Sequence, residues 1–159
     1  SRILDLCAER GVDASKLELI AESSDIALPR LVERGDKADL VFIDGKHAFP
    51  LPAVDFNYAD RLLKVGGVLV MDDAPIRAVA QVCRFIESSG AWERVSVTDL
   101  RTITYRKLAE APSDDDWRRQ PMNSFYPDYW FLSSGQRLFF TARAFGSIAK
   151  KHLGITPRH

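Results

Sequence analysis

Three aspartates stand where two apolar segments of the chain end. Asp44 follows the run Val41-Phe42-Ile43, and Asp72 and Asp73 follow the run Val68-Leu69-Val70-Met71. Continuous apolar runs are typical of buried parallel strands, and open α/β sheets bind ligands beyond the carboxyl ends of their strands. We therefore expect the three carboxylates to meet in one crevice.

A group of carboxylates of this kind could hold a divalent cation. Mg²⁺ takes oxygen ligands, and one or two carboxylates together with substrate oxygens commonly bind it. Such a cation could hold a substrate hydroxyl, favour its deprotonation and place it for attack. The structural alternative is that Asp72 caps the following helix, that Asp73 is solvated, and that Asp44 begins a turn with Gly45.

A histidine shares the loop of the first aspartate. His47 lies three residues after Asp44, and imidazole groups exchange protons near neutral pH. His47 could therefore act as the catalytic base that takes the proton from a hydroxyl beside the cation. A hydrogen-bonded structural role in the loop is the alternative interpretation.

The elements that must position these residues alternate between helices and strands. A helix is predicted over 2–10, with Gly11 as a left-handed stop, and a strand is predicted over 17–21. A second helix has its capping residues within 23–25, and a second strand covers 38–44.

The next segment continues this alternation. Pro50 or Pro52 opens a helix, and Gly66-Gly67 turns the chain into a strand over 68–71. The predicted buried face of this helix, at helical spacing, consists of Leu51, Val54, Tyr58 and Leu62.

A last helix and a hairpin complete the pattern. The helix ends at Gly90, and strands over 92–97 and 102–106 form an antiparallel hairpin around 98–101. The helix face that is predicted to lie on the sheet consists of Ile76, Val79, Ala80, Cys83 and Ile86. This order predicts an α/β three-layer sandwich whose mostly parallel sheet ends in an antiparallel hairpin.

Length, charge and cysteine content narrow the class of protein. The chain has 159 residues, of which 46% are hydrophobic, enough to bury one core. Its 22 basic and 22 acidic residues cancel, which argues against a general nucleic-acid binder. No apolar run approaches the ~18 residues of a membrane span, and the first residues lack a signal-peptide pattern. Cys7 and Cys83 stand in apolar helical patterns, so we expect free thiols and a cytoplasmic location.

Residues 109–159 form a predicted extension to the α/β domain, which covers residues 1–108. A polar stretch over 110–119 precedes aromatic residues that cluster over 125–131, and an amphipathic helix is predicted over 137–153. The apolar stripe of this helix is expected to pack on the domain or on a second copy of the chain, which would make a homo-oligomer. A role at a membrane surface or as a substrate lid is the alternative.

The stretch 17–104 resembles the class I S-adenosylmethionine-dependent methyltransferases. The resemblance rests on the loop Ile43-Asp44-Gly45-Lys46-His47-Ala48-Phe49, on Asp55 after it, and on Gly66-Gly67 leading to Asp72-Asp73. It implies a Rossmann-like three-layer fold, S-adenosylmethionine as cofactor and a small molecule as methyl acceptor.

The chain is similar in particular to metal-dependent O-methyltransferases of the catechol and sugar or macrolide types. This similarity implies that Asp44, Asp72 and Asp73 hold Mg²⁺, and that His47 stands where catechol-type enzymes have a lysine base. The reaction that it implies is methylation of an oxygen on a small hydroxylated molecule.

The cofactor-binding half of the family pattern is present only in part. Ser23, Ser24 and Asp44 stand where the family contacts S-adenosylmethionine. The glycine-rich strand and loop with which the family begins has no counterpart in this sequence, and we interpret residues 2–11 as a late helix of a preceding half. The resemblance therefore implies that the N-terminal part of the sheet is missing.

Two other classes of protein compete with this interpretation. A phosphorelay receiver domain also combines an acidic pair with a strand that ends in aspartate, but its pair precedes the phosphorylated aspartate. Here the pair Asp72-Asp73 follows Asp44, which excludes a receiver. A truncated, non-catalytic methyltransferase-like interaction module is the remaining alternative, and such a module is not expected to bind S-adenosylmethionine.

Overall fold

The computed structural model describes residues 2–110, 133–136 and 138–139. Its main elements, in chain order, are α1 (Arg2–Glu9), α2 (Ser24–Glu33), β1 (Ala38–Ile43), α3 (Leu51–Leu62), β2 (Leu63–Met71), α4 (Arg77–Ser88), β3 (Trp92–Thr98) and β4 (Thr102–Lys107). Residues 134–136 and 138–139 are also helical. The aromatic cluster and most of the predicted helix over 137–153 lie outside the described residues, so the division into two parts at residue 108 stays a prediction.

The strands form a mixed sheet of four strands in the order β1-β2-β4-β3. β1 runs parallel to β2, whereas β4 pairs antiparallel with both β2 and β3. The predicted terminal hairpin is confirmed, and the α/β fold is compatible with a Rossmann-like methyltransferase fold. Among the described strands β1 with β2 is the one parallel pairing, and β4 runs opposite to the other three.

A tight turn joins the two strands of the hairpin. Asp99 and Leu100 adopt φ angles of 51° and 58°, and the Arg101 amide donates a hydrogen bond to the Thr98 carbonyl oxygen at 3.1 Å. Two successive residues with positive φ match the type I′ turn, whose twist suits a two-residue hairpin. The turn brings Arg101 beside the carboxyl end of β2, where the Ala74 amide donates to the Arg101 carbonyl oxygen at 2.8 Å.

Residues 17–21 do not form the predicted strand. Leu17, Leu19 and Ile20 are exposed at 45%, 54% and 38%. The carboxylate of Glu18 instead accepts two hydrogen bonds from the Arg34 guanidinium, at 3.0 and 2.9 Å. Because a strand persists only where its backbone groups find partners in a sheet, the alternating pattern of this segment was not sufficient to make it one.

The helices that pack on the sheet share one of its faces. α3 contacts β1 and β2, α4 contacts β3, and α2 packs on α3. The core between them consists of Phe56, Ala59, Leu63, Leu69, Met71, Val79, Val82, Cys83, Ile86, Ala91, Trp92 and Tyr105. Leu40 and Phe42 point to the opposite face and are exposed at 60% and 55%. The described residues thus form two layers, and the third predicted layer stays a prediction.

The buried faces of α3 and α4 differ in part from those predicted. In α3 the buried residues are Pro52, Asp55, Phe56, Ala59 and Leu62, because this helix packs against both the sheet and α2. In α4 the buried residues are Val79, Val82, Cys83 and Ile86. Ile76 is the N-cap of α4 and is 40% exposed.

The glycine pair before the second parallel strand has a different role from the predicted one. β2 already begins at Leu63, and Gly66 and Gly67 lie within it. Ala38 pairs with Leu63, whereas Leu40 pairs with Val68, so residues 64–67 form an irregularity in the pairing with β1. The glycines therefore mark a bulge inside a strand, a position where glycine is commonly found.

Two predictions about the class of the protein can be compared with the structure. Cys7 in α1 and Cys83 in α4 are both free thiols, as predicted. Among the residues that the structure describes, none of the helices combines the length and the apolar character needed to cross a membrane.

The buried phenol of Tyr105 predicts a loss of stability at alkaline pH. Burial raises the pKa of Tyr105 above its ordinary value of 10.0, and the neighbouring Cys83 and Glu87 raise it further. The phenol donates a hydrogen bond to Glu87 Oε1 at 3.1 Å. The unfolded chain therefore loses the phenol proton at a lower pH than the folded chain. The stability that the protonated Tyr105 contributes is fully present below the unfolded-state pKa and is lost as the pH rises towards the folded-state pKa.

We expect the free energy of unfolding, measured by urea denaturation between about pH 8 and 11, to fall above the ordinary tyrosine pKa of 10.0. In Tyr105→Phe this decline is expected to be less steep, because the titrating group is gone. A variant whose stability falls with pH as steeply as that of the wild type would contradict the assignment.

Candidate functional site

The predicted convergence of the acidic residues follows from the pairing of two parallel strands. Ile43 pairs with Met71 at the carboxyl ends of β1 and β2. Beyond that pair the Asp72 amide donates a hydrogen bond to the Ile43 carbonyl oxygen at 3.0 Å. The loop that begins at Asp44 therefore lies beside the segment that holds Asp72 and Asp73.

Asp44, His47 and Asp73 form one group of possible ligand atoms, which we call the acidic triad site. His47 Nε2 lies 3.2 Å from Asp73 Oδ2 and 3.9 Å from Asp44 Oδ1. One ligand atom from each of the three residues lies within 4.8 Å of the other two. The side chains are partly accessible, at 49% for Asp44, 30% for His47 and 23% for Asp73.

The backbone at Asp73 has an uncommon conformation that helps to place its side chain. Asp73 adopts a φ of 53°, in the left-handed region. Aspartate is one of the few residues other than glycine that visit this region at modest cost. The conformation turns the chain from β2 towards α4, and the Ile76 amide donates to the Asp73 carbonyl oxygen at 2.9 Å.

The side chain of Asp72 is not part of the acidic triad site and contacts residues of the hairpin instead. Its Oδ1 accepts a hydrogen bond from Thr102 Oγ1 at 2.6 Å, and its Oδ2 lies 3.1 Å from Arg101 Nη2. The Thr102 hydrogen bond, the Asp73 amide and the Arg101 guanidinium lower the pKa of Asp72 below its ordinary value. Asp72 does not cap α4, whose N-cap is Ile76, so the alternative interpretation of Asp72 is wrong.

Arg101 is a residue of the site that sequence reasoning missed. Its Nη2 lies 2.6 Å from Asp73 Oδ1 as well as 3.1 Å from Asp72 Oδ2. The hydrogen bond to Asp72 and the charges of both carboxylates raise the pKa of Arg101. The sequence places Arg101 at the end of the predicted hairpin turn, but no local pattern shows that this turn meets the acidic pair.

A pocket of about 350 Å³ lies beside Asp44, between α2, α3 and β1. Its polar lining comes from Ser24, Asp44 and Asp55, and Gly45 also lines it. Two of the predicted cofactor-binding residues, Ser24 and Asp44, thus share one pocket. Ser23 is exposed at the N-cap of α2, where its carbonyl oxygen accepts the Ala27 amide at 2.9 Å.

The donor atoms of the acidic triad site fit a divalent cation. Their separations of up to 4.8 Å can contract by small side-chain rotations to those of ligands bound at about 2.0–2.2 Å around one ion. His47 Nε2 is buried and has no hydrogen-bond partner among the described residues. Two carboxylates are the donors that suit Mg²⁺ or Mn²⁺.

Comparison with known proteins gives one family match. Residues 4–74 match the model of a family described as methyltransferase domain. The matched stretch is less than half of the chain and runs from α1 to the residue after Asp73. No curated protein matches the chain. The match supports a methyltransferase domain over these residues, for which S-adenosylmethionine is the usual methyl donor.

Proposed function

We propose that this chain is an S-adenosylmethionine-dependent methyltransferase that acts on an oxygen of a small hydroxylated molecule with the help of a divalent cation. The observation that carries the proposal is the acidic triad site, in which donor atoms of Asp44, His47 and Asp73 lie within 4.8 Å of one another. The site lies where two parallel strands end, and its residues fall within the stretch that matches the methyltransferase family.

In this proposal Asp44 and Asp73 supply the carboxylates that hold the cation, and Asp72 holds the loop in place. The Asp72 carboxylate ties the loop to β4 through Thr102 at 2.6 Å and to Arg101 at 3.1 Å. This anchoring keeps Asp73 directed at the site. When bound, the cation supplies positive charge that favours the deprotonated form of a substrate hydroxyl.

His47 is the residue that takes the proton from the acceptor hydroxyl. In this role His47 Nε2 is not a ligand of the cation, which Asp44 and Asp73 hold, and its lone pair, which makes no hydrogen bond with the described residues, accepts the proton. Nε2 lies 3.2 Å from Asp73 Oδ2 and 3.9 Å from Asp44 Oδ1, so the protonated ring would lie beside two carboxylates. Histidine thus replaces the lysine that the catechol-type enzymes use.

Methyl transfer is an in-line displacement, so the remaining task of the protein is to position the two reactants. Ser23, Ser24 and Asp44 are the residues that we assign to the methyl donor. The pocket beside Asp44 supports this assignment for Ser24 and Asp44, because both residues line it. A donor held there would lie next to a hydroxyl at the acidic triad site.

A non-catalytic interaction module is the second candidate function. Leu40 and Phe42, exposed at 60% and 55% on the sheet face away from α3 and α4, favour it because such apolar side chains commonly mark binding surfaces. Titration calorimetry with S-adenosylmethionine separates the two candidates. A methyltransferase is expected to bind the donor, and a module is expected to give no heat.

The cation role is tested by the affinity for Mn²⁺. Asp44→Asn and Asp73→Asn remove one carboxylate charge each and are expected to weaken Mn²⁺ binding by about tenfold or more, because even residues behind the ligands of metal sites contribute that much. Isothermal titration calorimetry measures the affinity directly and needs no substrate.

Asp39→Asn is the matched control for this experiment. Asp39 lies in β1, the strand that ends just before Asp44. Its side chain is 83% exposed, and its Oδ1 lies 2.8 Å from Lys64 Nζ. Its loss is expected to leave Mn²⁺ affinity unchanged. Equal affinities of the wild type, Asp44→Asn and Asp73→Asn would overturn the cation role.

A further inference from the structure

Asp55 is a buried carboxylate that no partner in the described residues neutralises. It lies in the middle of α3 and is 6% exposed. Its Oδ1 is buried without a hydrogen-bond partner, and the structure records no ion pair for Asp55 among the described residues. A buried carboxylate without a protein partner costs stability unless a ligand or an ordered water satisfies it.

The carboxylate of Asp55 lines the pocket beside Asp44. The opposite wall at this point is the backbone of Gly45, where an added methyl group would lie 3.1 Å from Asp55 Oδ2. Glycine at position 45 thus leaves the space in front of the carboxylate open. Asp55 faces a cavity of about 350 Å³, large enough for a small organic molecule.

The chemistry of the pocket lining selects the group that would satisfy Asp55. The lining carries two carboxylates, those of Asp44 and Asp55, together with apolar walls that include Leu28 and Leu62, and no lysine or arginine. Carboxylates accept hydrogen bonds and cannot donate them when ionised. A ligand that fits must therefore bring hydrogen-bond donors on an apolar or planar body, and a protonated amine would supply such donors and also offset the negative charge.

We propose that this pocket binds an amine-bearing group and that Asp55 is the residue that recognises the amine. The amine N–H donates to the carboxylate of Asp55, while the body of the ligand lies against the apolar wall. Such an amine could belong to the methyl acceptor or to the base of the methyl donor, and these two sources share the same recognition chemistry.

Pairs of probes that differ only in the amine test the proposal. Benzylamine and toluene represent a free amine and its absence, and adenosine and purine riboside represent the presence and absence of the amine of the donor's base. In the wild type we expect the amine member of at least one pair to bind about tenfold more tightly, as measured by NMR titration, because a buried carboxylate is left unpaired by the other member. The pair that shows the preference identifies the source of the amine.

Asp55→Leu removes the acceptor and is expected to abolish the preference in that pair. The variant is also expected to unfold at a temperature equal to or higher than the wild type in the absence of ligand, since an apolar side chain replaces an unpaired buried carboxylate. Asp25→Asn is the control, because Asp25 is an exposed carboxylate on the same helix as Ser24. It is expected to keep the preference.

Two results would overturn the proposal. One is that neither pair shows a preference for the amine in the wild type. The other is that Asp55→Leu keeps the preference or lowers the unfolding temperature, which would mean that Asp55 holds the fold rather than a ligand. Because the probes bind without cation or methyl transfer, these results are distinct from a failure of the cation experiment.

Discussion

Replacing Lys107 with methionine is expected to lower the free energy of unfolding by about 3–5 kcal/mol, the usual cost of breaking a buried ion pair. Lys107 is completely buried at the end of β4. Its Nζ donates hydrogen bonds to the carbonyl oxygens of Asp60 and Leu63 at 2.6 and 3.2 Å, and it lies 3.0 Å from Asp60 Oδ1. Methionine fills similar space but leaves these oxygens at the C-terminal end of α3 without their donor.

Chemical denaturation of both proteins measures this loss. Lys64→Met is the matched control, because Lys64 also pairs with an aspartate, at 2.8 Å from Asp39 Oδ1, but on the surface. Its loss is expected to cost less than about 1 kcal/mol. If the two methionine variants proved equally stable, the buried ammonium would not join β4 to α3 as described.

Gly67→Ala is expected to destabilise the protein by about 2–3 kcal/mol, in the upper part of the range for overpacked interiors. A methyl group at Gly67 would lie 2.9 Å from the Lys64 carbonyl oxygen, 3.0 Å from the Asp39 carbonyl oxygen and 2.8 Å from Leu63 Cδ1. Two of these atoms belong to the backbone and cannot rotate away. β1 and β2 must therefore move apart where their pairing is already irregular.

Gly135→Ala provides the comparison for this substitution. Position 135 is helical, and a methyl group there would meet no described atom within 4 Å. Its effect is expected to stay within about 0.5 kcal/mol, as for other surface changes. A midpoint of thermal unfolding for Gly67→Ala that matches that of Gly135→Ala would refute the close approach of the two strands.

The parts of the fold that local signals determine were predictable from the sequence. α1 ends just before Gly11, whose φ of 64° is the left-handed stop that the sequence indicates. The hairpin was predictable because two apolar segments flank a short polar turn at 98–101. Capping and turn chemistry act over a few residues, so the sequence alone contains them.

The parts that depend on distant contacts were not predictable. Residues 17–21 have the pattern of a strand and do not pair, and the buried face of α3 includes Asp55, which a hydrophobic pattern assigns to solvent. The irregular pairing at Gly66 and Gly67 depends on how β1 lies against β2. Each outcome is set by what the rest of the chain packs around the segment, and local preference does not encode it.

The candidate site was likewise predictable from the sequence only in part. The proximity of Asp44 to Asp73 follows from strands that end at one edge of a sheet, which their apolar runs already indicated. The separation of Asp72 from that group depends on Thr102 and Arg101, which come from a strand placed beside β2 by tertiary pairing. A pair of adjacent acidic residues therefore suggested one role, whereas the structure shows two different environments.

The position of Arg101 has a consequence for the balance of charge at the site. One guanidinium nitrogen contacts both Asp72 and Asp73, so the polypeptide carries its own counter-ion for two clustered negative charges. The guanidinium offsets the repulsion between the two carboxylates, so no ion from solution is needed for this. The segment that holds Asp72 and Asp73 is therefore expected to adopt the same conformation when the chain refolds in the presence of a chelator. The positive charge at the hairpin turn holds it in place.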